Sequence, residues 1–150
     1  MSLSPLDGFL FGGIMSTPEM RTIFQETNFI QKILDVEAAL AGAEEELGIL
    51  PRKIAQDIMK KANLKYVDLD DSRAIIERTG HFLLAITKSW EKKIGPAGQY
   101  VHLGVTTQDV SDTAMVLLVR DAYKLIVRDL ESIKKNLIKL ALKYKDTPMA

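Results

Sequence analysis

Apolar residues along this chain recur at intervals of three and four rather than two, a spacing that predicts an all-α protein. Ser16-Thr17-Pro18-Glu19 has the form of a helix start, with Ser16 and Glu19 as a capping box. Pro18 falls in the first turn, where its missing N–H is no loss. From there the pattern runs, with a break expected near Thr27, through Ile33, Leu34, Val36, Ala39, Leu40 and Ala43 to Leu47, and Gly48 and Pro51 end it. Residues 1–15, with Gly8, Gly12 and Gly13, read as an irregular lead-in. A short helix carrying Ile54, Ile58 and Met59 is expected after Pro51, followed by a connector over residues 66–70. Asp71 or Ser72 is placed to cap a helix running to Arg78, and Gly80 interrupts it. A further helix is expected from His81 to Lys93, with Leu84, Ile86 and Trp90 among its apolar positions, and Gly95-Pro96-Ala97-Gly98 reads as a turn.

The last third carries the clearest pattern. Neither glycine nor proline occurs between Thr106 and Asp146. Val116, Val119, Tyr123, Ile126, Leu130, Ile133, Leu137, Leu140 and Tyr144 follow one another at steps alternating between three and four, an unbroken heptad seam of the kind that packs helices at shallow angles. A helix over residues 106–145 spans about 60 Å at 1.5 Å per residue. A compact domain of this size has a diameter of roughly 40 Å. Part of the seam is therefore expected to project beyond the chain's own globule and to need helical partners. The division expected is an N-terminal helical domain over residues 1–105, followed over residues 106–150 by the first long helix of a central helical bundle. Since the run Asp146-Thr147-Pro148-Met149-Ala150 closes a helix and begins something new, a fragment of a longer enzyme is the expectation.

Composition narrows the function. Hydrophobic residues make up 47% of the 150, enough for a core of ordinary size. Twenty basic residues balance twenty acidic ones, which speaks against a nucleic-acid partner. Lys134, Lys135, Lys139, Lys143 and Lys145 cluster near the end, but a single Tyr144 among them is no series of aromatic residues for base stacking, so they read as a solvated helix face. The absence of cysteine excludes disulfides and thiolate metal sites and makes the cytoplasm the default compartment. Met1 to Asp7 lacks the basic start of a signal peptide, and no run reaches the roughly 20 apolar residues of a membrane helix. Two histidines without a ligand constellation predict no metal.

The candidate chemistry lies at the mouth of the long helix. Residues 100–114 gather His102, Gly104, Thr106, Thr107, Gln108, Asp109, Ser111, Asp112 and Thr113. Thr106 and Asp109 have capping-box spacing, and acidic residues suit a first helical turn. The same geometry offers a carboxylate site, because a helix N-terminus presents unpaired N–H groups and partial positive charge. Both readings stand together, since one residue can cap while its neighbours hold a ligand.

The run from Val101 to Ala114, Val-His-Leu-Gly-Val-Thr-Thr-Gln-Asp-Val-Ser-Asp-Thr-Ala, resembles the first signature region of the fumarase/aspartase superfamily. Leu10-Phe11-Gly12-Gly13, Ser16 to Met20, Leu34 to Ala41 and Glu46 to Pro51 resemble the branch holding 3-carboxy-cis,cis-muconate cycloisomerase and adenylosuccinate lyase. The resemblance implies a homotetramer built on a bundle of long helices, active sites assembled from three subunits, and anti addition or elimination beside a carboxylate. It implies a small-molecule carboxylate substrate and no cofactor. By the same resemblance Thr106, Thr107 and Gln108 match substrate-carboxylate positions, Asp109 supports their loop, and His102 either lines the pocket or braces the turn. His81 matches a catalytic, substrate-contacting histidine of the lyase pattern, although Gly80 and Phe82 replace that pattern's neighbours. Gln108 leans toward the cycloisomerase, as does the lack of an early Arg-Tyr pair; His81 leans toward adenylosuccinate lyase. The family's second and third signatures are expected beyond Ala150, so the chain alone is expected to be inactive. The reading from a different class is a helical assembly module that uses the seam and needs only one cap residue at Thr106.

Overall fold

A computed structural model describes residues 12–148 of the protein. The lead-in expected over residues 1–15 lies outside the described residues as far as residue 11, as do Met149 and Ala150. Within residues 12–15 the expectation is corrected: Gly12–Met15 form a short helix, α1. Every regular element among the described residues is helical.

The second helix, α2, spans Pro18–Ile23, and its cap is Thr17 rather than Ser16; the Thr17 hydroxyl accepts the Met20 N–H at 3.2 Å. The break comes at Phe24 and Gln25, not Thr27, after which α3 runs Glu26–Glu46. Gly48 takes a left-handed φ of +72° at its end, and Pro51 leads into α4, Arg52–Lys61. A 3-10 turn over Leu64–Tyr66 comes next, and the connector expected over residues 66–70 is cut short because the following helix begins at Leu69. Helix α5 covers Leu69–Thr79 with Asp68 as its cap, three residues ahead of the Asp71 expected. Asp68 wins because its carboxylate reaches the Asp71 N–H at 3.1 Å, and an unpaired donor in the first turn takes the nearest acceptor. Gly80, at φ +68°, closes α5, and α6 follows over Phe82–Ile94. The Gly-Pro-Ala-Gly turn is the front of a 3-10 helix, Gly95–Tyr100. The last helix, α7, spans Thr107–Tyr144.

Helix α3 is the hub, and it presents Ile30, Ile33, Leu34 and Ala41 to the core. Ala55 and Ile58 of α4 meet them from one side, and Leu83, Ile86, Trp90 and Ile94 of α6 from another. Ile86 and Trp90 face inward as expected, but Leu84 is exposed and Leu83 takes its place in the core. Trp90 is wholly buried, and its indole N–H donates to the Lys61 carbonyl at 2.8 Å, tying α6 to the end of α4. Removing so large a ring costs about 3–5 kcal/mol in a typical core.

The long helix uses two faces differently. Its first half packs on α3 through Val110, Ala114, Leu118 and Ala122, small or branched residues that let the two helices approach closely. The nine seam residues lie on the other side, and all are exposed, from Val116 to Tyr144. The expected projection holds, and it takes in the whole seam: no residue of the helix beyond Ala122 is buried among the described residues. Ion pairs steady the outward run: Lys32 of α3 meets Asp121 at 3.0 Å, and Arg128 meets Glu19 of α2 at 2.6 Å.

Candidate active site at the mouth of the long helix

Two short loops deliver the site, one before α6 and one before α7. In the first, the left-handed Gly80 turns the chain so that His81 becomes the cap of α6. Its Nδ1 accepts the Leu84 N–H at 3.1 Å, while the Thr79 hydroxyl accepts the His81 N–H at 3.2 Å. A backbone N–H only donates, so Nδ1 must keep its lone pair, and the proton of the neutral ring sits on Nε2. That nitrogen lies 3.3 Å from the Thr107 hydroxyl on α7.

The second loop turns twice. His102 holds φ +63° and Gly104 φ +72°. A side chain in this left-handed region costs about 1–3 kcal/mol unless the surroundings enforce it. Here they do: the carboxylate of Glu37, its side chain 1% exposed, accepts the His102 N–H at 3.0 Å through Oε2 and faces its Nδ1 at 2.7 Å through Oε1. Sequence reasoning missed Glu37. The signal was present, because Glu37 stands on the same buried stripe of α3 as Ile30, Ile33, Leu34 and Ala41. A charged residue on an apolar stripe requires a partner. Glu44 shares the stripe, and burial, with a smaller push from the charge on Glu37, raises its carboxyl above the usual range.

Thr106 caps α7 with a full capping box. Its hydroxyl accepts the Asp109 N–H at 3.4 Å, and the Asp109 carboxylate accepts the Thr106 N–H and hydroxyl, each at 2.9 Å. The Thr106 N–H first and its hydroxyl second hold the Asp109 carboxyl below the usual range, with a smaller contribution from nearby His102. Asp109 therefore serves the cap, in line with the loop-supporting place expected for it. The N–H groups of Thr107 and Gln108 have no acceptor among the described groups. They point off the start of a 38-residue helix, where partial positive charge is concentrated. Of the six candidate residues, the fold brings His81 and Thr107 into contact and sets His102 beside the Thr106–Asp109 box. The Gln108 side-chain amide donates to Asp112 one turn further on.

Among the described residues no group of three or more histidine, aspartate or glutamate side chains is placed to hold a metal ion. None of the helices among them is long and apolar enough to cross a membrane.

A lyase family model matches residues 14–150. An N-acetyl-S-(2-succino)cysteine lyase of Dickeya dadantii (strain 3937) is 39% identical, over 96% of this chain and 32% of its own. An adenylosuccinate lyase of Pyrococcus abyssi (strain GE5 / Orsay) is 38% identical over 98% of this chain, again covering 32% of the relative. Among solved structures, the 3-carboxy-cis,cis-muconate lactonizing enzyme of Pseudomonas putida superposes with a TM-score of 0.83 at 36% identity, over 91% of this chain and 32% of that one. The chain spans about a third of the length of the curated relatives it matches.

Proposed function

The chain belongs to the lyase family of the fumarase/aspartase superfamily, and from that premise we propose that it supplies the carboxylate-binding part of an active site for anti addition or elimination across a carbon–carbon bond. One observation carries this reading: the uncommitted N–H groups of Thr107 and Gln108 open the long helix, with the His81 ring 3.3 Å from the Thr107 hydroxyl and His102 beside the Thr106–Asp109 box. The N–H groups take the substrate carboxylate, and the hydroxyls of Thr106 and Thr107 complete its shell. Carboxylate binding matters to the chemistry because removal of the neighbouring proton pushes negative charge onto the same group, and fixed donors stabilise that charge as it develops. His81, its proton on Nε2, acts as a neutral donor to the substrate or to Thr107. His102 contacts the substrate from the opposite loop.

The substrate reading we favour is that of a 3-carboxy-cis,cis-muconate cycloisomerase, in which the substrate's own carboxylate adds across its double bond. It rests on Gln108 in the Thr-Thr-Gln-Asp run and on the likeness to the Pseudomonas putida enzyme. Elimination from a succinyl compound is the second reading, favoured by His81 and by the two lyases named above. Turnover is assigned to a complete enzyme of this family, and the 150 residues alone are expected to bind a carboxylate without converting it. We assign the exposed seam of α7 to contact with other subunits in a homotetramer, with residues 106–150 as the first helix of the shared bundle and residues 1–105 as an N-terminal helical domain against which its first half packs.

The test is a titration of the 15N-labelled chain with fumarate, using fumaramide, its neutral isostere, as control. Fumarate is expected to shift the amide signals of Thr107 and Gln108, and fumaramide to leave them in place. No shift with fumarate, or equal shifts with both, overturns the carboxylate site. Displacement of fumarate by 3-carboxy-cis,cis-muconate, adenylosuccinate or N-acetyl-S-(2-succino)cysteine then ranks the substrates. Strongest displacement by either succinyl compound replaces the cycloisomerase reading with the second.

A further inference from the structure

We infer that Glu37 is a positioning residue that fixes the proton of His102 on Nδ1 and so turns its Nε2 toward the ligand, giving this histidine the opposite tautomer from His81. The inference rests on the carboxylate site proposed above for its purpose, although not for its geometry.

The two rings are constrained by chemically different neighbours. His81 caps a helix, and the Leu84 N–H at 3.1 Å occupies its Nδ1 lone pair. His102 meets an acceptor instead. One oxygen of Glu37 is committed to the His102 backbone N–H at 3.0 Å, and the other lies 2.7 Å from Nδ1. An ionised carboxylate only accepts, so Nδ1 must carry a proton. The Nε2 of His102 has no partner among the described groups. In the neutral ring it is an acceptor, and on protonation it becomes a cationic donor facing a carboxylate, with Glu37 balancing the charge from behind.

Glu37 also explains the strained backbone, because the same carboxylate grips the residue through its N–H and its ring at once. Rotating the ring would break the second bond, and relaxing φ from +63° would break the first. A side chain on α3, 65 residues away in sequence, thus decides which atom of the loop meets the substrate. The pair of histidines then offers two distinct contacts, a neutral N–H donor at His81 and a proton-exchanging nitrogen at His102. A substrate with a carboxylate at each end of a carbon–carbon bond uses both.

Long-range 1H–15N correlation of the histidine rings at pH 8.5 reads the two tautomers directly in the whole chain. The expected result is a proton on Nε2 of His81 and on Nδ1 of His102. In Glu37→Gln the amide oxygen accepts the His102 N–H and the amide NH2 donates to Nδ1. The proton of the neutral His102 ring therefore moves to Nε2, and the two ring nitrogens exchange their 15N shifts, while His81 is unchanged. A general loosening of the fold would instead alter both rings together. An Nε2–H tautomer at His102 in the unaltered protein overturns the inference even where Glu37→Gln does not fold. So does a variant whose His102 tautomer stays put. Fumarate added to the unaltered protein separates the two claims: tautomers as expected, with no shift at Thr107 and Gln108, removes the carboxylate site and leaves the positioning intact.

Discussion

Two leucines on α7, three turns apart, are expected to fail in opposite ways. Leu118 is 2% exposed and packs on α3, while Leu130 is 58% exposed and lies on the seam. Leu118→Ala empties part of a filled interface, and buried leucine truncations cost about 2–5 kcal/mol. That loss appears as a lower urea midpoint at any protein concentration. Leu130→Ser alters a mostly exposed side chain in the isolated chain, so the stability of the fold should move by no more than about 0.5 kcal/mol. If other copies cover the seam, however, the same change forfeits roughly 1.5–3 kcal/mol of burial at each copy of the site. At about 1.4 kcal/mol per decade, that weakens association roughly ten- to hundredfold. Urea unfolding followed by circular dichroism measures the first quantity, and sedimentation equilibrium over a range of concentrations measures the second. The reasoning is refuted if Leu130→Ser unfolds the subunit, if it leaves the association constant where it was, or if the unaltered chain stays monomeric at every concentration.

Three further outcomes follow from the geometry. Thr106→Ala removes the cap of α7 and should cost about 1 kcal/mol in a urea titration at pH 7, with Thr106→Ser recovering most of it. Asp121 pairs with Lys124 and Lys32, which hold its carboxyl down at about 2. A depressed carboxyl stabilises the fold above its unfolded value and loses that stabilisation as pH falls toward its folded value, so the melting temperature of the unaltered protein should drop between pH 4 and pH 2 more steeply than that of Asp121→Asn. Gly98→Ala places a methyl group 2.5 Å from the Glu91 carbonyl oxygen and 2.9 Å from its Cα, backbone atoms that cannot swing aside. It should destabilise the chain by about 1–3 kcal/mol and broaden the amide signals of residues 101–104, and an unchanged urea midpoint would sink the close-contact reading.

The class of fold, the long helix and its capping box were all legible in the residues, because each rests on spacing within one helical turn or one heptad. Thr106 and Asp109 are three residues apart, and nothing distant competes for them. Errors gathered where several neighbours competed for one role. Thr17 caps α2 in place of the expected Ser16, and Asp68 caps α5 in place of Asp71 or Ser72, since neighbours of like chemistry are told apart only by backbone geometry. Which side of α7 meets α3 was not legible either. The regular seam of large residues drew attention, yet the small face of Ala114 and Ala122 makes the close contact. At the site, the polar run 102–109 announced itself, whereas Glu37 did not, since its meaning lies in a partner 65 residues away.

That separation also sets an order of events. Helices α5 and α6 pack on one another across a link of two residues, but the Glu37 grip on His102 closes a loop of 65 residues. Long closures form after local ones in most small domains, because chain entropy is surrendered before the contact rewards it. On the ribosome the grip waits until the loop and the first turns of α7 have emerged. Pulse-labelled exchange during refolding should therefore protect the amide of His102 later than those of α6. A nascent chain stalled before that point presents His81 without the mouth of α7 that faces it, and lacks Val110 and Ala114 of the core.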